Sequence, residues 1–203
     1  APTINSSSES IFHEKINSDL QYRLWMFNHT SLYSENPLSK EKISFKHNPK
    51  ISIAMPVDDI EPIWLNISIN SILEQFYQNW ELCIVNNSTK HLITETLSKF
   101  KDKRIKIINP SKPLDVIDAC NEALSSCSGD FIGFMNFGDE LYKNALFQMV
   151  KEFNENQDVE ILYSDEDKTD SLENRFEPFF KPDWSPSLLL STNYIKHFFV
   201  CKK

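Results

Sequence analysis

Residues Ser128–Leu141 read SGDFIGFMNFGDEL. A polar Ser-Gly-Asp turn leads into Phe131–Met135 (FIGFM), a short apolar run that predicts a buried strand. The strand opens into Asn136-Phe137-Gly138-Asp139-Glu140, a loop carrying amide and carboxylate groups. The same alternation recurs outward. Toward the amino terminus lie a helix over Leu114–Ser126, a strand over Ile105–Ile108, a helix over His91–Phe100 and a strand over Trp80–Val85 (WELCIV). A helix over Trp64–Tyr77 and a strand over Ile51–Val57 (ISIAMPV) precede them. Toward the carboxyl terminus come a helix over Ala145–Phe153 and a strand over Ile161–Tyr163. Strands alternating with helices of about ten to fifteen residues predict βαβ units and a mostly parallel sheet, hence an α/β fold.

Ahead of this pattern the first ten residues are polar and Ser-rich, which predicts a disordered start. Apolar residues then recur at helical spacing (Ile11, Ile16, Leu20, Leu24, Phe27), and a polar connector spans Asn28–Pro49. Two parts follow: a 1–49 lead with one helix, and an α/β domain over 50–203.

The composition fits one such domain. The 203 residues are 40% hydrophobic and 25% charged, enough for a real core. A net charge of −8, with no dense Lys/Arg stripe, argues against nucleic acid as partner. Apolar stretches such as Ser185–Leu190 and Phe198–Val200 are far too short to span a bilayer, and no signal-peptide pattern precedes residue 20. The four cysteines (Cys83, Cys120, Cys127, Cys201) lack zinc spacing and read as free, buried thiols of a reducing compartment. Cys120 and Cys127 would share a helix face if that segment were helical throughout. There are three glycines, where average usage would give about fourteen. Gly129, Gly133 and Gly138 form neither GxGxxG nor GxxxxGK, so a phosphate must be held by some other device.

In open parallel sheets, ligands bind beyond the carboxyl ends of the strands. That rule singles out Asp58, Asp59, Asn86, Asn87, Asn136–Glu140 and Asp165–Asp167. Each has a plainer reading beside the functional one. Asp58-Asp59 would also suit a solvated turn, and Asn86-Asn87 a simple turn. Asp139-Glu140 would suit the cap and first turn of the next helix. Asp165-Glu166-Asp167-Lys168 would suit a solvated loop, and His197, alone in an apolar stretch, core packing.

Taken together and in order, IAMPVDD, ILEQFYQNWELCIVNNST, CNEAL, SGDFIGFMNFGDEL, YSDEDKTD and EPFFKPDWSPSLLLSTNYI resemble the inverting family-2 glycosyltransferases of the GT-A fold. The similarity is strongest to the bacterial branch that builds surface polysaccharides, and it runs from about Leu20 onward. The resemblance implies a three-layer α/β/α fold with a Rossmann-like sheet. It implies transfer of a sugar from a nucleotide-diphosphate donor to a glycan or glycolipid acceptor. The location it implies is cytoplasmic, or peripheral at the inner membrane face, with further domains of a longer protein as contacts.

Carried over position by position, the donor side comprises Pro56, Val57, Asp58, Asp59, Asn86, Asn121, Asn136 and Asp139. The sugar or acceptor side comprises Asp165, Asp167, Lys181 and Trp184. In the family an Asp-x-Asp loop holds Mg²⁺ or Mn²⁺ against the diphosphate, where the cation neutralises the leaving group. Here the chain departs from the pattern. Asn136 and Gly138 stand in place of the two loop carboxylates, leaving Asp139 as the one candidate metal ligand. Asn86 replaces the base-contacting Asp. The general base, a carboxylate in an acidic-aromatic-acidic helix, is expected beyond Lys203, so no catalytic residue is assigned within the chain. The alternative reading is an inactive GT-A-like domain serving nucleotide binding or protein contact. A phosphoacceptor or flavodoxin-like module does not match the segments after Ile161.

Overall fold

The computed structural model describes residues 19–29, 45–170, 172 and 174–203. The expected disordered start, the first half of the N-terminal helix and most of the polar connector lie outside these residues. The described part forms two compact units. The larger holds 45–164 and 184–203, and the smaller 19–29 and the described residues of 165–183.

The larger unit is built on a six-stranded sheet ordered β3-β2-β1-β4-β8-β5. Its strands are β1 (Ile51–Val57), β2 (Trp80–Asn86), β3 (Ile105–Ile108), β4 (Phe131–Phe134), β5 (Ile161–Tyr163) and β8 (Phe199–Lys202). β1 pairs in parallel with β2 and β4, and β2 with β3, whereas β8 runs antiparallel between β4 and β5. The continuous apolar runs of β1 and β2 follow from helices covering both faces.

On one face Ile51, Ile53, Met55, Leu82 and Ile84 pack with Leu65, Ile69 and Ile72 of α2 (Pro62–Leu73). Ile93 and Leu97 of α3 (His91–Ser98) and Leu146, Phe147 and Val150 of α5 (Ala145–Glu155) complete that cluster. On the other face Ala54, Cys83 and Val85 meet Ala119 and Ala123 of α4 (Val116–Ser125), where small side chains let the helix approach closely. The chain leaves β1 toward β2 on one face and returns from β3 to β4 on the other. The topological switch therefore lies between β1 and β4.

Helix limits differ from the sequence pattern for local reasons. α2 begins two residues earlier than its apolar spacing predicts, because Pro62 takes a first-turn position where its missing N–H costs nothing. It ends at Leu73, four residues early. The buried Gln75 amide donates to the Ser71 and Tyr142 carbonyls and accepts from the Leu146 N–H, linking the end of α2 to the first turn of α5. α4 starts at Val116 because Asp115 caps it, accepting from the Asp118 N–H at 2.8 Å.

The thiols are free, with Cys83 and Cys127 buried and Cys120 and Cys201 half-buried. Cys127 lies beyond the end of α4, so it shares no helix face with Cys120. A hydrogen bond with Cys127, followed by burial, pushes the Cys83 thiol far up from its usual range.

In the smaller unit, residues 19–29 form helix α1. β6 (Glu166–Thr169) pairs antiparallel with β7 (Arg175–Phe179). This hairpin replaces the solvated loop that the acidic run suggests. Its acids are engaged: Asp167 accepts from the Tyr22 hydroxyl and, at 2.6 Å, from Arg175 Nε.

Candidate functional site

The carboxyl ends of β1, β2 and β3 are cross-braced by short polar side chains. Asp59 accepts from the Ser88 hydroxyl (2.6 Å), the Thr89 N–H (3.0 Å) and the Thr89 hydroxyl (2.9 Å), tying the loop after β1 to the loop after β2. These donors, Ser88 first and then Thr89, hold the exposed Asp59 carboxyl below its usual range. Asp58 is exposed and accepts from the Asp59 N–H.

Asn87 is a clamp rather than a plain turn. Its amide donates to the Leu114 carbonyl at 3.0 Å and accepts from the Leu114 N–H at 2.8 Å, fixing the β3–α4 loop. Asn86, buried as the last residue of β2, donates to Thr94 Oγ1 (3.1 Å) and Asn109 Oδ1 (2.9 Å). Its own Oδ1 is buried without a hydrogen-bond partner. Between these loops lies a cavity of about 250 Å³, lined by Asn86–Thr89 and Pro110–Pro113. Asn109–Pro113 escaped the sequence reading, although the strand-end rule applied to β3 would have flagged them.

Next to the switch point, the loop after β4 folds on itself and onto α2. Asp139 accepts from the Asn136 N–H at 3.3 Å, and the Gly138 N–H donates to Ser68 Oγ at 2.8 Å. Gly138 has φ +93°, a conformation that a side chain disfavours. Antiparallel β8 delivers the residues before it to this same end of the sheet. His197 Nδ1 consequently lies 2.9 Å from Asp139 Oδ2 and 3.3 Å from Asn136 Nδ2.

Two plainer readings fall here. His197 is not a core residue, since a third of its side chain is exposed and it faces a carboxylate. Asp139 and Glu140 do not cap the next helix, because α5 starts at Ala145 with Asn144 at its N-cap position. An aperiodic turn separates them from it.

The other expected site residues are placed as follows. Pro56 and Val57 end β1, half-buried and buried respectively. Asn121 is exposed midway along α4 and does not line the cavity. Trp184 is 54% exposed, ahead of α6 (Pro186–Ser191). In the smaller unit Asp165 accepts from the Lys181 N–H at 2.7 Å, and Lys181 Nζ lies 2.9 Å from Glu166 Oε2.

The resemblance implies a divalent cation at this loop. Such a cation needs several hard oxygen ligands in a defined shell. Among the described residues no group of three or more His, Cys, Asp or Glu side chains is placed to hold a metal ion. The loop itself offers one carboxylate, Asp139, already paired with His197. Gly138 offers no side chain, and Asn136 is a neutral amide. These residues do not fit the usual diphosphate-bridging cation.

An open parallel sheet, with polar loops and a cavity gathered at the carboxyl ends of its strands, is the ligand-binding geometry of doubly wound α/β proteins. The particular family follows from comparison. The family model for glycosyl transferase family 2 matches residues 60–202, and the chain belongs to that family.

Its relatives include proteins named for O-antigen biosynthesis and for glucosyl transfer. The O-antigen biosynthesis protein RfbC of Myxococcus xanthus is 36% identical over 158 residues, covering 76% of this chain and 12% of that protein. The Escherichia coli UDP-Glc:alpha-D-GlcNAc-diphosphoundecaprenol beta-1,3-glucosyltransferase WfgD is 33% identical over 96 residues. That match covers 47% of this chain and 38% of WfgD, so the chain spans well under half the length of either relative.

Among solved structures, S. aureus TarS 1-349 superposes with a TM-score of 0.56 at 14% identity, covering 75% of this chain and 47% of TarS. The Pyrobaculum calidifontis mannosyltransferase PcManGT, solved with GDP-Man and Mn²⁺, gives 0.52 at 13% identity over 76% of this chain and 45% of its own. The fold is that of the GT-A glycosyltransferases, as the sequence resemblance implies. No helix among the described residues is long and apolar enough to cross a membrane.

Proposed function

We propose that the 50–203 part of the chain binds a nucleotide-diphosphate sugar and serves its transfer to a glycan or glycolipid acceptor in polysaccharide or glycoconjugate synthesis. The cavity between Asn86–Thr89 and Pro110–Pro113 carries this reading. It opens at the strand ends, and one relative of the chain is named as a glucosyltransferase that uses UDP-Glc. In this assignment the cavity takes the nucleobase, with Asn86 at its floor and Asp59 holding the Ser88–Thr89 wall. Pro56, Val57, Asp58 and Asn121 belong to the wider donor side, and the diphosphate runs toward Asn136 and Asp139. Asp165, Asp167, Lys181 and Trp184 are assigned to the sugar or acceptor side. Buried free thiols suit a reducing, cytoplasmic setting.

The test is calorimetric titration of the chain with UDP, GDP and dTDP. Binding of at least one supports the assignment, and binding of none overturns it. A second reading, a GT-A-like domain that binds nucleotide or a protein partner without transferring sugar, draws support from Gly138 in place of a loop carboxylate. Radiolabelled sugar transfer to a membrane-extracted acceptor by the full-length protein separates the two.

A further inference from the structure

We propose that nucleoside diphosphate binding by this chain is independent of a divalent cation, with His197, seated on Asp139, taking the cation's place beside the diphosphate. The inference rests on the donor-binding reading above.

Three features converge on it. The first is backbone shape. At Gly138 an added Cβ would meet only Ile60 Cδ1 at 3.8 Å and Trp64 Cβ at 4.0 Å, so space is not limiting. The φ of +93° is what disfavours a side chain, and the Gly138 N–H is fixed by Ser68. The loop is shaped for a glycine, not collapsed around a missing carboxylate.

The second is charge. With Asn136 and Gly138 neutral, two negative groups are gone from the path assigned to the diphosphate. Cancelling repulsion among loop carboxylates and phosphate oxygens is a main task of a bridging cation, and here much of it has lapsed.

The third is the imidazole. β8 brings His197 onto Asp139 at 2.9 Å and beside the Asn136 amide at 3.3 Å. Its backbone sits at φ +58°, a conformation that residues with side chains seldom take and that persists only where the surrounding structure holds it. A carboxylate acceptor at Nδ1 orients the ring, and imidazole N–H groups donate to phosphate oxygens.

The test is titration of the 203-residue chain with UDP, GDP, dTDP and the matching nucleosides, in EDTA and in excess Mn²⁺. The expected diphosphate affinities in the two conditions agree within about threefold. His197→Ala and His197→Phe, the latter keeping the ring's bulk should the former fail to fold, weaken diphosphate binding about tenfold or more. Both leave nucleoside binding unchanged, and His197→Gln, which retains a donor, restores part of the loss.

A tenfold or greater gain with Mn²⁺ overturns the inference while the donor-binding reading stands. An equal fall in nucleoside and diphosphate binding in both variants also overturns it, since that marks a merely structural histidine. Absence of binding to every nucleotide in both conditions overturns both readings.

Discussion

The two ends of the parallel strands in the larger unit use charge in opposite ways. At the amino ends Glu81 is almost wholly buried and fully engaged. It accepts from Lys50 Nζ (2.5 Å), the Ser52 hydroxyl (2.6 Å) and the Ser128 N–H (2.6 Å), with Lys106 Nζ at 2.9 Å. The donors come from the start of β1, from β3 and from the turn before β4, and Glu81 itself from β2, so one carboxylate ties four segments together. At the carboxyl ends the charges are exposed or half-exposed, and several hold only neighbouring loops. One end is a lock with its valences filled. The other is a rim of oriented amides and carboxylates around a cavity, where a ligand can still be met.

The largest effect in this comparison is expected from Glu81→Ala. Removing one partner of a buried ionic cluster costs about 3–5 kcal/mol in general, and here about 2–4 kcal/mol because both lysines remain partly in water. Urea unfolding measures it, and a loss below 1 kcal/mol would mean that the amino-end lock is ornamental.

The same cluster sets an acid limb. Burial alone would raise the Glu81 carboxyl, but the donors from Lys50, Ser52, Ser128 and Lys106 outweigh burial and hold it far below its ordinary value of 4.5. A carboxyl depressed on folding adds stability that is fully present above the ordinary value and is lost as pH falls below it. Glu81→Gln should therefore flatten the decline of the unfolding midpoint below about pH 4.5. An unchanged decline would place the acid sensitivity elsewhere.

Glycine substitutions contrast the two ends next. At Gly129 a Cβ would lie 2.5 Å from the Lys50 carbonyl oxygen, so Gly129→Ala must move backbone at the amino end and costs about 2–3 kcal/mol. At Gly138 there is room and only φ opposes the side chain, so Gly138→Ala costs about 1–2 kcal/mol. Thermal or urea denaturation of the pair would break the contrast if the order were reversed.

The smallest stability effect belongs to the rim itself. Asp59→Ala should leave the unfolding midpoint unchanged within error yet weaken nucleoside binding several-fold, by releasing Ser88 and Thr89 from the cavity wall. A stability loss with unchanged binding would reassign Asp59 to the fold.

Much of the larger unit was legible because its signals are local. ISIAMPV and WELCIV are apolar throughout, which a strand covered on both faces requires, and β1, β3 and β5 carry the predicted limits. The loop after β4 was legible as a loop, and the departures at Asn136 and Gly138 stand in the sequence itself. The smaller unit's hairpin was not legible. Glu166–Thr169 is too charged to read as a strand until Arg175 and Tyr22 are brought to Asp167 from eight and 145 residues away. Gln75 falls inside the predicted Trp64–Tyr77 helix and nothing beside it in sequence marks it as buried, because its partners in Tyr142 and Leu146 lie on a distant segment.

The sequence by itself determined the α/β class, the family and which side chains stand at the strand ends, because residue periodicity and short motifs are properties of neighbours along the chain. Tertiary structure alone decided that His197 faces Asp139 and that Glu81 gathers two lysines and two serines. Both depend on strand order and direction: antiparallel β8 lies against β4, and parallel β1 to β3 begin at a common edge. Contacts between residues so far apart follow from which strands pair, a choice set by the packing of the whole sheet and not by any segment's own composition.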